Sequence, residues 1–127
     1  MSKLIMIDDD EMYHKISQLM VKEYSPVDEV ISSTDAKATL EFLDENKENA
    51  DNLPDYIFVD LNMPGYDGWD FLSGYQKICN SFRKAVKVYV VSSSIDPKDI
   101  SRSKAYTFVK SFIMKPLSQE FLHELTA

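Results

Sequence analysis

Three consecutive carboxylates, Asp8-Asp9-Asp10, stand directly behind the apolar run Leu4-Ile5-Met6-Ile7. Like charges this close raise one another's pKa and resist joint ionisation. A divalent cation would remove the conflict, and hard oxygen ligands of this kind suit Mg²⁺. The competing reading is that one of the acids caps a following helix, where unpaired backbone N–H groups favour a carboxylate. Further along, Asp60 follows Ile57-Phe58-Val59, the serines Ser92, Ser93 and Ser94 follow Val91, and Lys115-Pro116 follows Phe112-Ile113-Met114. Brought together, the acids would hold a metal ion, while a hydroxyl and an ammonium met phosphoryl oxygens.

The elements that must position these groups are legible in the hydropathy pattern. Five apolar runs read as strands: Leu4 to Ile7, Val30 to Ile31, Ile57 to Val59, Val86 to Val91, and Phe112 to Met114. Most are continuous rather than alternating, which predicts strands covered on both faces of a parallel sheet. Segments of helical spacing lie between them. Met12, Ile16, Leu19 and Met20 form one stripe; Ala36, Leu40 and Leu43 form a second. Phe71 or Leu72, Tyr75, Ile78 and Cys79 form a third, and Leu117, Phe121 and Leu125 the last. All are read as core contacts.

The fourth helix starts on Asp96-Pro97, an N-cap followed by Pro at the first helical position. With only Ile100 and Ala105 as apolar anchors, it is predicted to be short and loosely held. Five alternations of strand and helix predict a single doubly wound α/β domain. The expected strand order is 2-1-3-4-5, with a crevice at the carboxyl ends of the first and third strands. The acids, Ser92 and Lys115 all fall at that edge.

Composition narrows the function. A chain of 127 residues with 44% apolar content can bury one core. The net charge of −7, from 14 basic and 21 acidic residues, argues against nucleic-acid or anionic-membrane binding. No run approaches the roughly 18 apolar residues of a membrane span, and no signal peptide is evident, so a cytoplasmic location is expected. The single cysteine, Cys79, permits neither an intrachain disulfide nor a multi-cysteine zinc site. His14 and His123 lack matching ligands and are expected at the surface, and Trp69 is expected to be partly buried.

The acid pair after the first strand, Asp60 with downstream Met63-Pro64 and Asp67-Gly68, Ser92 after the fourth strand and Lys115-Pro116 after the fifth occur in one order across nearly the whole chain. In this the chain resembles the receiver domains of bacterial two-component response regulators, the CheY-like family with its flavodoxin-like (βα)5 fold. The resemblance implies a receiver domain over 1–127 with no output domain. Asp60 would be the phosphoacceptor, with Mg²⁺ (or Mn²⁺) held by Asp8, Asp9, Asp60 and the backbone carbonyl of Asn62. Lys115 and Ser92 would meet the phosphoryl group, and Ser92 and Phe112 would form the switch. The Lys115–Pro116 bond would be cis.

The family usually has Thr where this chain has Ser92, and often Tyr where it has Phe112. Asn62 and Ser94 occupy positions that tune hydrolysis of the acyl phosphate. Neither is acidic, which implies a moderate to long phosphoryl lifetime. Asp10 is read as a helix-start residue instead of a ligand.

The implied partners are a sensor histidine kinase or histidine phosphotransfer protein, and a downstream protein meeting the 96–125 surface. The implied role is a signalling switch or phosphorelay carrier with weak self-phosphorylation and self-dephosphorylation, not an enzyme. Three other readings fit less well. An aspartyl-nucleophile phosphohydrolase wants a second acid two residues after the nucleophile, where Asn62 stands, and a substrate cap. A flavodoxin-like cofactor binder wants a phosphate loop where three carboxylates would repel phosphate. A receiver-like module that never takes phosphate would not need the complete set of side chains.

Overall fold

The structure, a computed structural model, describes residues 2–93 and 96–125. Strands and helices alternate: β1 (Lys3–Ile7), α1 (Glu11–Tyr24), β2 (Glu29–Ser33), α2 (Ala36–Glu45), β3 (Tyr56–Val59), α3 (Gly68–Ile78), β4 (Lys87–Ser92), α4 (Pro97–Lys104), β5 (Val109–Met114) and α5 (Gln119–Glu124). A 3-10 turn at Cys79–Ser81 extends α3. The five strands form one parallel sheet in the order β2-β1-β3-β4-β5. This is the order that the hydropathy pattern predicts.

Continuous apolar runs are required because the central strands are covered on both faces. Ile5 and Ile7 of β1, with Ile57 and Val59 of β3 and Val88 and Val90 of β4, pack with Leu43, Phe71, Leu72 and Tyr75 from α2 and α3. The alternate residues Leu4, Met6, Tyr56, Phe58 and Val91 pack on the other side with Val21, Leu122 and Leu125. Successive side chains of a strand point to opposite faces, so both sets must be apolar. Each fully buried Leu, Ile or Val contributes roughly 1.5–3 kcal/mol of transfer free energy.

Two expectations fail on α1. Met12, Ile16 and Leu19 lie on the outward face, at 63%, 54% and 70% exposure, and the helix buries His14, Ser17 and Val21 instead. His14, expected at the surface, is 4% exposed. The cause is polar anchoring that overrides hydropathy. Asp10 caps the helix, accepting hydrogen bonds from the Met12 and Tyr13 N–H groups at 3.0 and 3.2 Å. His14 Nε2 lies 2.7 Å from the Asp8 carbonyl and 3.1 Å from that of Ser33. Both partners are acceptors, so Nε2 carries the proton. This latch ties the ends of β1 and β2 together and fixes the rotation of α1. His123 is exposed as expected, its ring edge-on to Tyr24.

The fifth strand is longer than its apolar run because of a bulge. Val88 pairs with Val109, but Tyr89 pairs with Ser111, so Lys110 is an extra residue. The bulge restores the side-chain phase, placing both Val109 and Phe112 against the α3-side core. The fourth helix is capped by Asp96 as predicted and buries Ser103 among its residues. Its side-chain links to α3 include Arg102 over the Trp69 ring at 4.1 Å and, just beyond its end, Tyr106 hydroxyl to Ser73 at 3.0 Å.

At the start of α3, Gly68 lies directly against the backbone of Asp60 and Leu61. A Cβ there would come within 2.6 Å of the Leu61 Cα. Backbone cannot give way as a flexible side chain can, so Gly68→Ala is expected to destabilise the fold by about 1–3 kcal/mol in denaturant titration. An unchanged midpoint would contradict the close approach.

Candidate functional site

Three side chains of the site are placed by one extra ladder bond past a strand end, and Ser92 ends β4. The Asp8 N–H donates to the Ser33 carbonyl (3.0 Å), that of Asp60 to Ile7 (2.9 Å), and that of Lys115 to Ser92 (2.9 Å). The ladder thereby sets Asp8, Asp60, Ser92 and Lys115 side by side at the carboxyl edge. Asp8, Asp60 and Ser92 are buried, while Asp9 is exposed. Carboxylate oxygens of Asp8, Asp9 and Asp60 lie within 4.8 Å of one another. The Lys115–Pro116 peptide bond is cis.

The electrostatics centre on one ammonium. Lys115 Nζ donates to Asp8 Oδ2 at 2.6 Å and stands 3.6 Å from Asp60 Oδ2. The other Asp8 oxygen accepts the Asp10 N–H at 2.9 Å. Asp60 Oδ1 accepts the Asn62 N–H over a long 3.4 Å. Burial and the neighbouring Asp8 charge push the Asp60 carboxyl above the usual carboxylate range, and Lys115 offsets this only in part. Burial alone would lower the Lys115 pKa, but its hydrogen bond to Asp8 and the charges of Asp60 and Asp8 raise it.

Three carboxylates thus lie together, and the two buried ones, Asp8 and Asp60, share the Lys115 ammonium. A hard cation with oxygen ligands fits such a donor set, because it supplies the missing positive charge.

The remaining predicted residues fall around this core. Asn62 Nδ2 lies 3.4 Å from Ser92 Oγ, so its side chain faces the site. Phe112 is half-buried against the α3-side core, two residues short of the end of β5. Ser94 lies outside the described residues. Asp10 is a helix cap, as its position after the strand suggested.

The sequence analysis leaves out Tyr13 and places His14 at the surface, yet both border the site. His14 holds the Asp8 carbonyl, as described above. Tyr13 sits in the first turn of α1 with its ring centroid 4.2 Å from Lys115 Nζ. It shares a cavity of about 10 Å³ with Asp8 and Asp60, floored by Met6, Phe58 and Val91. Burial pushes the Tyr13 phenol above its ordinary pKa. The signal that could have found both is Asp10 itself, since a cap at that position turns the next helical residues back towards the strand ends.

The raised Asp60 pKa has a measurable consequence for stability. Between the ordinary carboxylate pKa and the raised one, the folded state binds more protons than the unfolded state, so stability falls as pH rises through that window. The penalty is complete above the folded pKa and absent below the unfolded one. In metal-free buffer, Asp60→Asn is therefore expected to unfold a few degrees higher than the parent at pH 7. The advantage should shrink on acidification through the window. A gap that widened with acid would contradict the assignment.

The family model of the response regulator receiver domain matches residues 4–127. The chain is 32% identical over 88 residues to the probable methanogenesis regulatory protein FilR2 of Methanothrix harundinacea, covering 69% of this chain and 55% of that protein. It is 33% identical over 93 residues to the sensor histidine kinase CheAY of Helicobacter pylori, covering 73% of this chain and 11% of the kinase. The matches therefore span about half of one curated relative and about a tenth of the other.

Among solved structures, a two component response regulator from Cytophaga hutchinsonii superposes with a TM-score of 0.84 at 28% identity, covering 94% of this chain and 89% of that one. The receiver domain of the Arabidopsis thaliana histidine kinase CKI1, complexed with Mg²⁺, superposes at 0.77 with 26% identity, covering 94% and 87%. A match reaching from the first strand to the last residue, on a parallel sheet of this order, makes the chain a member of the response regulator receiver domain family.

Proposed function

We propose that the protein accepts a phosphoryl group on Asp60 from a phosphohistidine of a sensor histidine kinase or histidine phosphotransfer protein. The observation that carries this reading is the Lys115 ammonium, 2.6 Å from Asp8 and 3.6 Å from Asp60, at the switch point of the sheet. An Asp60 oxygen attacks phosphorus, the P–N bond breaks with its electron pair leaving on the imidazole nitrogen, and that nitrogen is protonated. The product is an acyl phosphate on Asp60.

Mg²⁺ (or Mn²⁺) would be held by Asp8, Asp9, Asp60 and the Asn62 carbonyl. When bound, it supplies positive charge to the phosphoryl oxygens. The Mg²⁺ complex of the CKI1 receiver supports that choice of ion.

Once Asp60 is phosphorylated, Lys115 leaves Asp8 for a phosphoryl oxygen and Ser92 donates its hydroxyl to another. Phe112 follows Ser92 inward, which biases the two-state equilibrium of α4 and β5. The fourth helix suits this role, because it is short and much of its surface is solvated. The 96–125 surface then carries the signal to a downstream protein or relay partner. The outward residues Met12, Ile16 and Leu19 give a phosphodonor protein an apolar face on the helix that opens at the crevice. Asn62 and Ser94 add no carboxylate to position an attacking water, which favours a moderate to long phosphoryl lifetime.

Trp69, the single tryptophan, stacks on Arg102 of α4 and so gives the switch an internal reporter. With acetyl phosphate and Mg²⁺, the protein should gain one phosphoryl mass and its Trp69 emission should change. Asp60→Asn, or the parent in EDTA, should show neither. Lys115→Ala should take up phosphate without the emission change. Labelling that persists in Asp60→Asn, or that is complete in EDTA, would remove Asp60 and its metal from the reading. A parent-like emission change in Lys115→Ala would remove the coupling role of the lysine.

A further inference from the structure

We propose that Tyr13 is a positioning residue for Lys115, its ring face holding the ammonium where it can pass from Asp8 to a phosphoryl group on Asp60. This rests on the phosphoacceptor reading of Asp60. Three contacts define the ammonium's place: Asp8 Oδ2 at 2.6 Å, Asp60 Oδ2 at 3.6 Å and the Tyr13 ring centroid at 4.2 Å. The carboxylates alone leave a long, flexible lysine side chain free to approach them from many directions. An aromatic face attracts the cation through its quadrupole, most strongly where water is excluded. The Lys115 side chain here is 18% exposed, and the ring borders the same small cavity as Asp8 and Asp60.

The ring carries this function, not the phenol. The Tyr13 hydroxyl is buried and is directed to Ser17, with no hydrogen bond to Lys115. The element that presents the ring is rigid. The Asp10 carboxylate accepts the Tyr13 N–H at 3.2 Å, and His14, the next residue, is latched to the Asp8 carbonyl. The acid run therefore positions both the ligand carboxylates and the aromatic surface under the lysine. When Lys115 releases Asp8, the ring keeps it within reach of Asp60.

The test compares Tyr13→Phe, which keeps the ring, with Tyr13→Leu, which keeps an apolar side chain but removes the π face. Protein with ¹³C-labelled lysine would be studied by NMR, with amide spectra confirming that each variant is folded. In the unphosphorylated parent and in Tyr13→Phe, the Lys115 ε-methylene protons should be shifted upfield by the ring current, and in Tyr13→Leu the shift should vanish. With Mg²⁺ and beryllofluoride as the phosphoryl mimic, the parent and Tyr13→Phe should show Lys115 engaged at Asp60. In Tyr13→Leu, the equilibrium constant for engagement should fall roughly 3- to 30-fold.

An unshifted Lys115 in the parent, or engagement in Tyr13→Leu equal to that of the parent, would overturn the proposal. A parent that ignores beryllofluoride, behaving like Asp60→Asn, would instead overturn the Asp60 reading. The ring-current comparison would still decide the placement of Lys115 by Tyr13.

Discussion

The structure turns on one shared charge. The Lys115 ammonium stands between two buried carboxylates that follow neighbouring strands, closer to Asp8 than to Asp60. Burying two carboxylates against one cation leaves negative charge uncompensated, and low-dielectric surroundings magnify the imbalance. Asp60 bears more of it, because its lysine contact is the longer of the two and the Asn62 N–H reaches it over 3.4 Å. Under the proposed function, such a site accepts positive charge and rearranges when it arrives. The sheet exists, in functional terms, to hold these groups at fixed spacing. Each is one ladder bond past a strand end, on strands whose two apolar faces lock the register.

The groups around the ammonium differ in how firmly their elements are enclosed. Asp8 and Asp60 directly follow β1 and β3, the strands most completely enclosed by the two cores. Lys115 sits beyond β5, an edge strand whose bulge at Lys110 brings Phe112 to the α3 side. The fourth helix rests on that edge, with an aromatic–cation stack and a hydroxyl pair among its links to α3. Well-enclosed acids beside a short, solvated helix are the arrangement that the proposed charge-driven switch requires.

The strand order and the convergence of Asp8, Asp9 and Asp60 were legible because they depend on patterns that sequence displays directly. Continuous apolar runs mark buried parallel strands, and polar residues at their ends mark the crevice. The errors share one physical cause. Hydropathy placed Met12, Ile16 and Leu19 in the core and His14 at the surface, and the structure reverses both assignments. A helix cap and a buried imidazole bonded to two carbonyls set the rotation of α1, and such directional bonds leave no periodic trace. Val109 to Ser111 were missed as strand for a related reason, since a bulge breaks the alternation that marks a strand. Tyr13 is hidden in the same way, because its contact with Lys115 joins residues 102 positions apart in the chain (115 − 13).

The central claim is that Lys115 moves from Asp8 to the group on Asp60 when that group is phosphoryl-like and the metal is bound. A crystal structure of the protein with Mg²⁺ and beryllofluoride tests it most directly. The account predicts beryllofluoride on one Asp60 oxygen, Mg²⁺ on the other with Asp8, Asp9 and the Asn62 carbonyl, and Lys115 Nζ on a fluorine instead of Asp8. Beryllofluoride on Asp60 with Lys115 still paired to Asp8 would contradict it.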